Sequence, residues 1–124
     1  MLYAILCYDS EAVVGAWTKE KDDAVMAKLG AVQQKLAAQG KLGPVARLGP
    51  TTKATTVRKG RDAMVIDGPF AETKEQLLGF YVVDCSTPEE AIEVARELGR
   101  ASGSEGAHEV RPISLFAPGE LVPT

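Results

Sequence analysis

Two nearly unbroken apolar runs, Met1–Tyr8 and Leu77–Cys85, set the strongest limit on what this chain can fold into. Both are far shorter than the ~20 apolar residues a membrane-spanning helix needs. Rich in Tyr, Ile, Val and Phe, they read instead as buried strands, the second of them central in its sheet. The first run has no basic residue ahead of it and meets Asp9 at once, so it does not read as a secretory signal.

Helix signals follow each run. Thr18 can cap a helix over about 19–39, in which Val25, Leu29, Val32 and Leu36 recur at i, i+4, i+7 and i+11. Gly40 is a fitting stop. Thr87-Pro88-Glu89-Glu90 announces the second helix: Thr87 as N-cap, Pro88 at the first helical position and Glu90 closing a capping box. Ala91, Val94, Ala95 and Leu98 form its inward stripe. Asp9–Gly15 and Gly99–Gly106 read as loops. Short strands are expected at about 44–48, 54–58 and 63–67, with a hairpin turn at Lys59-Gly60-Arg61. A last strand is expected at 108–115, where Pro112 argues for a sheet edge or a bulge.

Two strand–helix–strand crossovers joined by a hairpin predict one α+β domain over residues 1–124. Its architecture is a ferredoxin-like sandwich with two helices on one face of an antiparallel sheet. The other face of such a sheet is left bare by a single chain, so its apolar content predicts a homodimer.

Charge narrows the partners. The 124 residues carry a formal net charge of −3, but residues 1–62 hold ten Lys/Arg against six Asp/Glu, and residues 63–124 four against eleven. An acidic chain is a poor match for nucleic acid, because phosphate binding draws on a basic face. The one basic cluster, Lys53, Arg58, Lys59 and Arg61, surrounds the hairpin turn and reads first as a solvated turn. With two cysteines and no membrane-length run, a reduced, cytoplasmic setting is expected. Cys7 and Cys85 end strands expected to lie adjacent and parallel, which would bring their thiols close. Both read first as small core residues.

The stretch Asp67-Gly68-Pro69-Phe70-Ala71-Glu72-Thr73-Lys74-Glu75 carries the most chemical information. As structure it is a corner: Asp67 can accept backbone N–H groups, Pro69 restricts Gly68, and Thr73 with Gln76 can cap a short helical turn. As chemistry it places three carboxylates and a lysine beside an aromatic ring, a grouping able to perform acid–base work.

This string, followed by Gly79-Phe80-Tyr81, resembles the signature of the YCII-related family, DGPF-domain branch. Glu109-Val110-Arg111-Pro112 resembles that family's closing strand, and Tyr8 and Trp17 fit its opening segment. The resemblance covers nearly the whole chain and implies a dimeric α/β-barrel superfamily member. Relatives in that wider superfamily include isomerases, monooxygenases and dehydrohalogenating enzymes, and several DGPF-type members are linked to alternative sigma factors. Leu78 stands where the family commonly has glycine. The other YCII branch pairs a helix-borne histidine with an aspartate, whereas the only histidine here is His108.

The functional expectation is a small organic ligand held in a cleft near the dimer interface. Asp67 is the candidate acid or base, and Glu72, Lys74, Glu75, Tyr81 and Arg111 are its candidate ligand-binding partners. No metal or other cofactor is expected: Cys7, Cys85 and His108 fall short of a zinc set, and no nucleotide-binding glycine pattern occurs. As an enzyme the chain would suit a cofactor-independent isomerase or lyase. The alternative is a non-catalytic interaction module linked to sigma-factor-dependent transcription. Glu109 and Arg111 share a strand face and are expected to pair with each other or with a neighbour, while Tyr3, Tyr8, Trp17 and Tyr81 can serve as core or as pocket lining.

Overall fold

A computed structural model describes residues 1–122. The chain runs β1 (Leu2–Asp9), α1 (Glu11–Gly15), α2 (Lys19–Ala38), β2 (Leu42–Arg47), a 3₁₀ turn (Thr51–Lys53), β3 (Thr55–Val57), β4 (Val65–Asp67), β5 (Gln76–Asp84), α3 (Pro88–Ser102) and β6 (Ala107–Pro112). Four strands form one antiparallel sheet in the order β2-β5-β1-β6, and β3 with β4 forms a separate two-stranded ribbon. This is the ferredoxin-like arrangement, with the ribbon inserted between β2 and β5. Among the described residues no helix is long and apolar enough to cross a membrane.

The caps act as their chemistry dictates. Thr18 Oγ1 accepts from Lys21 N–H at 3.1 Å, and Thr87 Oγ1 accepts from Glu90 N–H at 3.1 Å. The Glu90 carboxylate reaches back to Ser86 N–H at 3.1 Å and pairs with Lys41 at 2.6 Å. That clip ties the start of α3 to the start of β2. The Lys41 hydrogen bond first, then the Ser86 N–H, holds the Glu90 carboxyl below its usual range.

Both long helices lie on one sheet face. Tyr3 and Ile5 of β1 stand beside Val83 and Tyr81 of β5, and α2 (Val32, Leu36) and α3 (Ala91, Val94, Ala95, Leu98) close over them. Alternation turns Ala4 and Leu6 of β1, with Val82 and Phe80 of β5, to the other face. Glu109 and Arg111 of β6 sit beside Leu6 and Ala4 on that face, yet neither forms an ion pair among the described residues.

Several expectations need correction. Asp9–Gly15 is not all loop, because Ser10 Oγ accepts from Val13 N–H at 3.3 Å and starts α1. The helix α3 continues to Ser102, where Gly103 at φ +66° ends it. No helical turn forms at Thr73; instead its hydroxyl bonds the Glu75 carbonyl, and Gln76 Nε2 donates back to the Thr73 carbonyl. β6 does take the sheet edge, but it ends at Pro112 rather than at 115.

The cysteine geometry also differs. β1 and β5 are neighbours but antiparallel: Cys7 faces Gly79, whereas Cys85 N–H bonds the Met1 carbonyl at the far end. Six residues of strand, roughly 20 Å, separate the two thiols. Both are free.

Candidate functional site

Between α2 and the helix-facing side of β1, β2 and β5 lies a cleft of about 180 Å³. Its walls are apolar, built from Val25, Met26 and Leu29 of α2 and closed by Trp17 at the end of α1. Tyr81 and Cys7 rise from the sheet, Gln33 reaches in from α2, and Asp22 and Arg47 stand at the rim.

The backbone explains why this space exists. At Gly79, a Cβ would run into the carbonyl oxygen of Ala46 and stand 3.3 Å from Arg47 Cα. Only glycine lets β2 close on β5 at that point. Across the cleft, α1 is pinned in place: Glu11 N–H donates to Gln76 Oε1 at 2.9 Å, and the Glu11 carboxylate accepts from Thr51 N–H at 3.1 Å. Trp17 follows this anchored helix, and its ring carries Lys21 Nζ 4.9 Å from the centroid. At the rim, Arg47 meets Asp22 at 3.6 Å and the Met26 sulfur at 3.6 Å. An ion pair so long and open to water contributes little, so it can part when something enters.

Proton chemistry inside the cleft is conservative. Burial first, and the neighbouring Asp9 charge second, push the Cys7 thiol up from 9.0 to about 11. A thiol held protonated is a poor nucleophile at neutral pH. Burial likewise raises the Tyr81 hydroxyl, with Cys7 adding to the effect and Gln33 opposing it. Tyr81 therefore stays a hydrogen-bond donor throughout the physiological range.

Because the folded value of Cys7 exceeds the unfolded one, its contribution to stability is complete below pH 9 and lost as pH rises toward 11. Alkylation of Cys7 in folded protein, followed on its own peptide by mass spectrometry, should stay slow through pH 9 and accelerate only near pH 11. A rate midpoint at the unfolded value would mean that water reaches the thiol freely.

Of the six residues expected to form the acid–base and ligand-binding site, only Tyr81 lines this cleft. Asp67 ends β4 in the two-stranded ribbon, exposed and opposite Thr55, and Glu72, Lys74 and Glu75 are exposed on the connection to β5. Arg111 lies on the sheet face away from the helices. None of these five lines the cleft. The corner itself is well built: Gly68 takes φ +107°, donates to the Ala54 carbonyl at 2.8 Å and accepts from Thr56 Oγ1 at 2.8 Å. Phe70 stands out in solvent with Arg58 over its ring at 5.6 Å. Trp17 and Tyr81 do share a cleft, whereas Tyr3 belongs to the core and Tyr8 to a groove on the far side of β1.

Sequence reasoning passed over Asp22, Gln33, Arg47 and Cys7 as cleft residues. Part of the signal was present. Asp22, Met26, Leu29 and Gln33 recur at i, i+4, i+7 and i+11, a line that shares Leu29 with the core stripe and borders it. A polar residue at each end of an otherwise apolar line marks a helix edge facing a wet cavity.

Comparison with known proteins agrees with this architecture. The family model for the YCII-related domain matches residues 1–117. An uncharacterized protein of Rhizobium meliloti (strain 1021) is 58% identical over 122 residues, covering 98% of each chain. Fold, motif and near full-length match converge: the chain belongs to the YCII-related domain family.

Proposed function

We propose that the protein is a homodimer that binds a ring-sized organic molecule of the phenol class in the cleft between α2 and the sheet. The cleft itself carries this reading. A volume of about 180 Å³ exceeds the ~150 Å³ apolar cavity that accepts benzene. Trp17, Val25 and Leu29 supply apolar contact, while the Tyr81 hydroxyl and the Gln33 amide are the groups able to orient a hydroxyl or keto oxygen.

Acid–base chemistry of the isomerase or lyase type would use Tyr81 as proton donor inside and Asp22 as carboxylate at the rim. Asp67, with Glu72, Lys74, Glu75 and Arg111, serves such a ligand only where a second copy brings these residues to the cleft. The ribbon supports that arrangement. A two-stranded ribbon is marginal alone, and this one exposes Val57 at 62% and Val65 at 64%, with Phe70 on the corner after it at 77%.

A thermal-shift screen of phenols tests the reading. A ligand at a hundred times its Kd adds ~2.7 kcal/mol to stability. Tyr81→Phe should weaken a hit about tenfold, the equivalent of one ~1.4 kcal/mol hydrogen bond. Asp67→Asn should weaken it only if the second copy contributes. A hit whose affinity survives both Tyr81→Phe and Trp17→Leu would remove the cleft from consideration.

A further inference from the structure

A groove of about 440 Å³ runs between α3 and β6, sharing Asp9, Ser102 and Ser104 with the aromatic cleft as a common wall. Its central feature is the only histidine of the chain. His108 stands on β6 beside Cys7, with Nδ1 3.0 Å from the Ala95 carbonyl oxygen of α3. A carbonyl can only accept, so Nδ1 carries the hydrogen and donates. This bond fixes the ring and leaves Nε2 as the nitrogen free to meet a ligand. Gly99, one turn beyond Ala95, lies under the ring, where an added Cβ would make only ordinary contact with Nδ1 at 3.9 Å.

Arg96, the residue after Ala95, lines the same groove. Its guanidinium is exposed and touches Glu93 at 3.5 Å, an interaction of little strength in water. Glu93 also meets Arg100 at 3.4 Å, so Arg96 can leave without stranding a carboxylate. Ile92 and Val110 give the groove an apolar flank. Asp9, held at one oxygen by Ser10 N–H at 3.0 Å, places a negative charge in the wall.

We propose that this groove is a second binding site, across that shared wall from the aromatic cleft, for a small hydroxy-monocarboxylate with an apolar body. Arg96 takes the carboxylate, since a guanidinium matches its two oxygens. Ile92 and Val110 take the apolar body. His108 Nε2, an acceptor in the neutral ring, takes the hydrogen of the ligand hydroxyl. The Asp9 charge selects against a second carboxylate, so dicarboxylates are poor ligands.

The composition of the chain makes the test direct. One imidazole and one indole report separately on the groove and on the aromatic cleft, because His108 and Trp17 are each single in the sequence. The full-length ¹⁵N-labelled protein is titrated with 3-hydroxybenzoate, and His108 Nε2 and Trp17 Nε1 are followed by NMR. The expected result is a saturable shift of His108 Nε2, with any indole shift caused by the phenol ring in the aromatic cleft saturating separately. Affinity should exceed that of benzoate and of phenol by about tenfold each, one hydrogen bond or ion pair apart. Arg96→Gln should cost about tenfold or more. A shift of Trp17 with His108 unmoved would overturn this proposal while supporting the aromatic cleft. Movement of neither resonance, or affinity unchanged in Arg96→Gln, would overturn it as well.

Discussion

Replacing Leu98 with alanine is expected to remove about 3–5 kcal/mol of unfolding free energy. Leu98 is 0% exposed, at the end of the α3 stripe formed with Ala91, Val94 and Ala95, within the same core cluster as Ile5 and Val83. Its cluster neighbours on α3, β1 and β5 are fixed in place by the sheet ladder and the capped helix, so the site collapses little around a missing isobutyl group. Domains of this size have roughly 5–15 kcal/mol in total, and the loss should lower Tm by about 10 °C or more. Ile92 on the same helix is 43% exposed, and its alanine variant should cost under about 1 kcal/mol. Urea unfolding of the two variants checks the contrast. Equal, small losses would mean that α3 is not seated on the sheet as described.

Most of this core was legible in the sequence because it rests on local chemistry. Thr18 and Thr87 cap where a short hydroxyl precedes a helical period, and Val32, Leu36, Val94 and Leu98 face inward because 3.6-residue spacing leaves them no alternative. The two apolar runs became the two central strands for a similarly local reason: only a strand covered on both sides can be apolar throughout.

What failed was relative placement. The right-handed crossover through α2 leaves β1 and β2 pointing the same way with one strand's width between them, and the reversing connection sends β5 back through that gap. β5 therefore runs antiparallel to β1, and Cys7 and Cys85 lie at opposite ends of the strand pair. No residue pattern in either strand encodes that direction; it follows from the path of the chain.

The candidate site divides along the same line. Asp67-Gly68-Pro69-Phe70 is conspicuous as a string because Gly68 needs φ +107° and donates to Ala54 while its own carbonyl accepts from Thr56. Those are architectural demands. The cleft, by contrast, is assembled from α1, α2 and three strands, and its residues form no conspicuous string in any one of them. Arg47 acquires meaning only once Gly79 has brought β2 against β5.

Leu6→Asp should convert a dimer into a monomer. On the helix-free face, Leu6 stands beside Phe80 of β5 and Glu109 of β6, with Ala4 and Val82 two residues along. Four apolar side chains at the centre of this sheet face, with Asp84 at the end of β5 and Glu109 and Arg111 on the β6 edge as its charged neighbours, form the pattern of an interface core with a polar rim. The apolar ribbon extends the surface a second copy can cover. A stable two-fold contact buries at least ~1,200 Å² in total, and a carboxylate introduced at its centre loses its water without gaining a partner. Dissociation should therefore strengthen about a hundredfold or more, the equivalent of ~3 kcal/mol. The helix-facing core does not include Leu6, so the variant should keep its helical circular dichroism while its sedimentation mass halves. Wild-type protein that sediments at 13.2 kDa at micromolar concentration would rule out the dimer. It would also confine any acid–base contribution of Asp67 to ligands that reach the ribbon of a single chain.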